Sequence, residues 1–402
     1  MAAAALQDVD LPRRFGRYVL FDQIGEGGMA RIYLAATETE LGGQRLAVVK
    51  QILPLLAAGP EFSRLLTEEA KLAAQLSHKN VVQVFDLGRA EDTLYIAMEY
   101  VEGFDLRELL RHCSQAKVPL PIEFSLLVVM ETLRGLDYAH RLRNEAGEPL
   151  GIVHRDVSPS NVLTSFEGEV KLCDFGIARA LGSGADIPDE AIQGKAGYMS
   201  PEAALGKPID ARADVFAAGV ILWELIAGRR LYRGAQGRAP SLDDAREAII
   251  PPLPARGYPD EQRLHAVVMR ALEKDPAQRY PSARDMLQDL ERWVVSGGLF
   301  SSSLRFGEWL LEQFGQQMLE RRRARERVAL GIFEEKRPSA HAVRPPPDEE
   351  PEHVEVPRMQ PLPASLERLA QRRQSPAPKR TLAAVLALMM LALLAAAIYL
   401  VR

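Results

Sequence analysis

Along residues 17–24, 31–37 and 46–51 apolar side chains alternate with polar ones, the period of a half-buried strand. A glycine-rich segment, 25–28, separates the first two runs and predicts a turn. Residues 61–76 instead carry apolar positions at helical spacing, with Glu and Lys between them. Residues 81–87 and 94–100 read as two more strands, with 88–92 as their turn. From 105 to about 295 the pattern is mostly helical, and 125–142 and 215–226 are apolar enough to be buried helices. The pattern therefore predicts an α+β chain: a small β-rich lobe followed by a larger α-helical lobe.

After Gly298 the character changes. Residues 306–330 fit an amphipathic helix with a strongly basic stretch at 321–327, for which a solvated helix face is the plainer reading and contact with anionic lipid the other. Residues 336–380 are rich in Pro, Glu, Arg and Gln and poor in aromatics, the composition of a disordered linker. Residues 381–401 contain no charge, and as a helix they span roughly 32 Å, close to the hydrocarbon thickness of a bilayer. Arg372, Arg373, Lys379 and Arg380 flank that run on its N-terminal side, which places the globular part in the cytoplasm. The reading is a single transmembrane helix in the cell inner (cytoplasmic) membrane. The alternative, a buried core helix, fits poorly because core helices seldom stay uncharged over such a length. Only Arg402 follows, so no domain is expected on the far side. The many alanines of the run permit close packing with a second copy, a homodimer, although a plain anchor is the simpler reading.

Composition narrows the picture further. At 402 residues and 47% hydrophobic, the chain is long enough for one large domain with appendages and apolar enough to fill its core. A net charge of −4 gives no basic excess, so no nucleic-acid partner is expected. The two cysteines, Cys113 and Cys173, are too few and too far apart for a disulfide framework or a zinc site. The N-terminus lacks the basic-then-apolar pattern of a secretory signal.

Two constellations carry chemistry. In the segment Ile24-Gly25-Glu26-Gly27-Gly28-Met29-Ala30-Arg31-Ile32 the glycines let backbone amides approach a phosphate closely. Alone it is no more than a hairpin turn. It gains weight from Lys50, which ends the apolar run Ala47-Val48-Val49. A lysine there is costly to bury unless its ammonium meets an anion. Glu69, on the 61–76 helix, is the best candidate for a carboxylate partner. The second constellation is His154-Arg155-Asp156, then Asn161, then Asp174-Phe175-Gly176, followed by Ser200-Pro201-Glu202 and Asp214. Any one of these is a commonplace loop; the ordered set is not.

As an ordered set these residues resemble the eukaryotic-like (Hanks-type) bacterial serine/threonine protein kinases, over 17–294 of the chain. The resemblance implies a two-lobed kinase fold at 17–294 with ATP between the lobes, after an N-terminal extension at 1–16. A helical extension at 295–335, the linker at 336–380 and the transmembrane helix at 381–401 would follow. It implies transfer of the ATP γ-phosphate to protein hydroxyls, a reaction that needs positioning and charge neutralisation more than covalent help. The residues from Ile24 to Ile32 would cover the phosphates, and Lys50, oriented by Glu69, would hold two of them. Asn161 and Asp174 would ligate Mg2+, and Asp156 would accept or orient the substrate hydroxyl proton. His154 and Phe175 would pack as supports. Met98 would guard the back of the adenine pocket, Glu99 and Val101 would offer it backbone groups, and Asp105 would reach the ribose. Glu202 and Arg279 would form a buried ion pair, or else stand as separate surface charges.

The sequence departs from the family pattern at three positions. Ala30 replaces the third glycine of the phosphate loop. Ser158 stands where serine/threonine kinases usually carry a lysine that helps neutralise the moving phosphate. Lys195 replaces a threonine that usually hydrogen-bonds to the same region. The Lys195 ammonium either restores the charge missing at Ser158 or faces solvent. Between 177 and 193 Ser183 is the only residue available for loop phosphorylation, while Asp186, Asp189 and Glu190 supply standing negative charge. Loss of charge at Ser158 leaves open a membrane-tethered pseudokinase scaffold. The intact set Lys50, Glu69, Asp156, Asn161 and Asp174 favours an active enzyme. A tyrosine-specific enzyme is disfavoured by family resemblance alone, not by local chemistry.

Overall fold

The computed structural model describes residues 11–27, 30–38, 44–53, 60–175, 196–232 and 240–334; within these, the side chains of 38, 60–63, 65, 66, 69 and 324–334 lie outside the description. The expected linker and transmembrane run also lie outside it. No helix among the described residues is long and apolar enough to cross a membrane.

The small lobe is a six-stranded antiparallel sheet in the order β1-β2-β3-β4-β6-β5. Its strands are β1 (Arg13–Phe15), β2 (Tyr18–Glu26), β3 (Ala30–Glu38), β4 (Gln44–Ile52), β5 (Val84–Ala90) and β6 (Thr93–Glu99). Helix α1 (Pro60–Ala74) buries Ala70 and Ala73. The sequence reading left 13–15 in the N-terminal extension, but they pair with β2.

The β5–β6 hairpin also corrects the sequence reading. Its turn is not 88–92 but Glu91 and Asp92, both at positive φ (48° and 58°), between the paired Ala90 and Thr93. This is the two-residue turn whose twist matches that of the strands. Gly88 is a strand residue: a Cβ there would lie 2.5 Å from the Tyr95 hydroxyl, so glycine makes room for a ring and does not make the turn. Val81 and Val82, expected in this strand, instead cross to the large lobe. The Val82 amide donates to the Leu172 carbonyl at 2.9 Å, and the Asn80 side chain donates to Glu131 at 2.7 Å and to the Val170 carbonyl at 2.9 Å. These bonds tie the segment entering β5 to the large lobe.

The large lobe is helical around α3 (Ile122–His140) and α5 (Arg212–Ala227), both almost wholly buried as their unbroken apolar runs predict. Around them lie α2 (Leu106–Ala116), α4 (Pro201–Ala204), α6 (Leu242–Glu247), α7 (Glu261–Ala271) and α8 (Ala283–Ser296). Strands β7 (Gly103–Asp105), β8 (Val162–Ser165) and β9 (Val170–Leu172) form a small sheet beside the hinge between lobes. Gly228, at φ 67°, stops α5, its amide returning to the Glu224 carbonyl.

A further helix, α9 (Ser303–Glu334), covers the expected amphipathic stretch and extends beyond it. Phe306, Leu310, Phe314 and Met318 recur every fourth residue and are buried in the core of the large lobe. The contact is close enough to require small residues. A Cβ on Gly307 would sit 2.7 Å from the Glu167 carbonyl carbon, and one on Gly168 would sit 1.7 Å from the Ser303 carbonyl oxygen.

Candidate active site

Between the lobes lies a cavity of ≈ 490 Å³. Ile24, Ile32, Val48, Met98, Val101 and Leu163 give it apolar walls; Lys50, Glu99, Asp105 and Asp174 supply charge. Ile24 is an apolar side chain left 46% exposed at this lining, which suits a flat apolar ligand above it. Residues singled out on four separate segments of sequence thus meet around one space.

The hairpin over the cavity is formed by β2 and β3. The Gly27 amide donates to the Ala30 carbonyl at 2.9 Å, and among the described residues nothing lies within 4 Å of where its Cβ would be, which suits close approach of a ligand to the backbone there. Gly28 and Met29 lie outside the described residues. Glu26 and Arg31, both candidates, pair with each other at 3.2 Å, and neither side chain lines the cavity.

Lys50 projects from β4 to Asp174, Nζ to Oδ1 2.9 Å. Burial alone would pull its pKa down, but the carboxylate of Asp174, with Cys173 and Asp156 nearby, outweighs that and raises it. The ammonium therefore stays charged in a partly buried site. Glu69 lies on α1, with its side chain outside the described residues; the described partner of Lys50 is Asp174.

The loop ahead of β8 is organised by partly buried bonds. The Asn161 side-chain Nδ2 donates to the Asp156 carbonyl at 2.7 Å and to its carboxylate at 3.0 Å. The Asp156 amide donates to His154 Nδ1 at 3.2 Å. The Asn161 carbonyl accepts from the Cys173 amide at 2.9 Å, which sets Asn161 beside Asp174. His154 Nε2 lies 2.9 Å from the Cys173 carbonyl, and its ring packs on Phe175 at 4.5 Å between centroids, the supporting role expected for both. Arg155 and Asp174 hold positive φ (64° and 59°), an uncommon conformation for non-glycine residues, and they flank this network.

Beneath the loop lies Asp214, 1% exposed. Its carboxylate accepts the amides of His154 and Arg155 at 2.7 and 2.8 Å and meets His140 Nε2 at 2.7 Å. Burial pushes its pKa up, but the bonds to His140 and His154 outweigh this and hold it below the usual carboxylate range. His140 escaped the sequence reading. Its only signal was a polar residue in the last turn of an apolar helix, with nothing to say which carboxylate it meets. Glu202 and Arg279 do form the expected buried pair, with two bonds of 2.7 Å. Ser158 is buried, its hydroxyl 3.0 Å from that of Ser160, and Lys195 and Ser183 lie outside the described residues. Cys113 and Cys173 are free thiols.

Comparison with known proteins agrees with this geometry. The family model described as protein kinase domain matches residues 18–291. The chain is 38% identical to the tyrosine-protein kinase MasK of Myxococcus xanthus over 315 residues, 78% of this chain and 48% of that protein. It is 41% identical to the probable serine/threonine-protein kinase SCO3848 of Streptomyces coelicolor over 290 residues, 70% of this chain and 40% of that protein. The chain thus spans less than half the length of these relatives. The crystal structure of the Mycobacterium tuberculosis PknI kinase domain superposes with a TM-score of 0.52 at 28% identity, covering 71% of this chain and 99% of that one. With a family match over most of its length and its charged residues gathered in the cleft between two lobes, the chain belongs to the protein kinase family.

Proposed function

We propose that this protein transfers the γ-phosphate of ATP to serine or threonine hydroxyls of other proteins. The observation that supports this most is the linked set Lys50–Asp174 and Asp156–Asn161, joined through the Asn161–Cys173 backbone bond at one end of an apolar cavity. The apolar walls take the adenine, and the Lys50 ammonium takes phosphate oxygens. Asp156 accepts the hydroxyl proton, or orients the hydroxyl, as the oxygen attacks. The Asp174 carboxylate and the Asn161 side-chain oxygen are hard oxygen donors on segments joined by the Asn161–Cys173 backbone bond, a donor set that fits Mg2+. The ion, when bound, neutralises charge on the phosphates.

Hydroxyl choice rests on the family and not on the catalytic loop. The serine/threonine-kinase relatives favour serine and threonine and MasK, by its name, favours tyrosine; Ser158 leaves the catalytic loop without the lysine that marks serine/threonine preference. Incubating the chain with labelled ATP, magnesium and a basic acceptor protein, then identifying the modified residue type, decides. Label on serine or threonine is expected. Label on tyrosine alone reverses the specificity, and ATP binding without transfer replaces the enzyme by a scaffold.

The reading also places this enzyme at the inner membrane, held by residues 381–401 with its catalytic lobes in the cytoplasm and with room for a second copy along the alanine-rich run. Its support is the charge-free run and its basic flank. Alkaline carbonate washing is expected to leave the chain with the membrane fraction; release into the supernatant removes the anchor.

A further inference from the structure

Helix α9 lies beyond the residues matched by the kinase family model, yet it reaches the nucleotide cavity. Its apolar face seats it on the large lobe as far as Met318. One turn on, Arg321 lines the cavity. The Arg321 guanidinium lies 5.0 Å from the centre of the Phe104 ring, and its Nη2 is 2.5 Å from Oε1 of Glu108. Arg322 pairs with Glu102, at the hinge between the lobes, at 2.5 Å. The basic stretch read from sequence as a solvated face therefore spends two of its arginines on the acidic rim of the cleft.

That rim holds Asp105 at the N-cap of α2 and Glu108 three residues on, in the helix's first turn. Asp105 caps α2 by accepting the Glu108 amide at 2.7 Å, which commits one of its oxygens. Burial raises the Asp105 pKa, a sign that the corner tolerates negative charge poorly. A ribose offers two adjacent hydroxyl donors, and this corner offers two carboxylates. Glu108 stays there only if its charge is balanced and its side chain held. Its other basic neighbours, Arg111 and His112, lie farther away, at 3.4 and 3.5 Å, and sit on its own helix. Arg321 is the cation that comes from elsewhere in the chain and, with its planar fork, fixes direction as well as charge.

We propose that Arg321 is a positioning residue of the nucleotide site: it holds Glu108 as a second acceptor for the ATP ribose, so α9 is part of the nucleotide-binding unit. The proposal rests on the reading of the cavity as an ATP site. It is tested by calorimetric binding of ATP and of 2′,3′-dideoxy-ATP to the full chain, comparing Arg321→Ala, Glu108→Gln, the double variant and the exposed Arg323→Ala as control. Each single variant is expected to weaken ATP about tenfold, the scale of one charge-assisted hydrogen bond, with the double variant no weaker than either. Dideoxy-ATP, lacking the donors, is expected to change less than about twofold, and Arg321→Lys to recover part of the loss. ATP binding unchanged in Arg321→Ala overturns the proposal, as does an equal loss for both nucleotides, which would make α9 a general prop of the cleft. If the unaltered chain binds neither nucleotide, the ATP-site reading itself falls, and this proposal with it.

Discussion

Asp156→Asn lowers the rate of phosphate transfer by about 10³-fold and leaves ATP affinity nearly unchanged, within the range for removing a positioned base. The prediction depends on how Asp156 is held. Its amide is fixed by His154 and its carbonyl by Asn161, and both of those bonds use backbone atoms that the substitution keeps. His154 in turn is set by Asp214 from below, so the loop keeps its path. The substitution removes the acceptor charge offered to the substrate hydroxyl, while the new amide oxygen can still accept the 3.0 Å bond from the Asn161 side chain. It also removes one of the negative neighbours that keep the Lys50 pKa raised, but Asp174, the stronger of these, remains at 2.9 Å, so the ammonium stays charged and the phosphates stay bound. Steady-state kcat beside a calorimetric Kd for ATP separates the two effects. A variant within tenfold of the parent in kcat would remove Asp156 from the chemistry; a lost Kd would make it a binding residue instead.

How far the site could be read in advance depends on how local its signals are. Asp156, Asn161 and Asp174 fall within one short stretch, so their spacing is visible in the chain, and the structure brings them together through Asn161. The Lys50 partner was less legible. A buried lysine demands an anion, but sequence does not say which, and the described contact is with Asp174. Gly88 misled because a glycine between two strands looks like a turn, whereas here it answers the bulk of Tyr95. His140 and Asp214 stand 74 positions apart, and no periodicity links them. The same holds for α9. Its apolar face is plain in the sequence, but a face does not name what it packs against, so Arg321 and Arg322 looked like solvent-facing charge until Glu108 and Glu102 were seen opposite them.

Arg279→Ala is expected to destabilise the large lobe by about 3–5 kcal/mol, the cost of leaving a buried charge without its partner. The Arg279 side chain is fully buried and each of its nitrogens is engaged. Nε donates to the Glu273 carbonyl at 2.7 Å; the two terminal nitrogens each bind one Glu202 oxygen at 2.7 Å and reach the Arg212 and Lys274 carbonyls at 3.2 and 3.1 Å. Alanine therefore orphans a carboxylate and three backbone acceptors together. Lysine would not replace it, since a point charge cannot reproduce the fork. The effect has a pH signature. Burial pushes the Glu202 pKa up, but the bond from Arg279 outweighs that and holds it below the ordinary 4.5. The pair's stabilisation is thus complete above that value and lost as pH falls through the lower folded value. Without Arg279 burial governs, the folded pKa rises above the unfolded one, and protonation relieves the orphaned charge. The gap between parent and variant should therefore narrow as pH falls from neutrality to about 4. Denaturant unfolding of both proteins at the two pH values measures it. Equal stability at neutral pH would mean that the pair is not holding the lobe. A gap that does not narrow in acid would mean that the orphaned backbone carbonyls, and not the carboxylate, carry the cost.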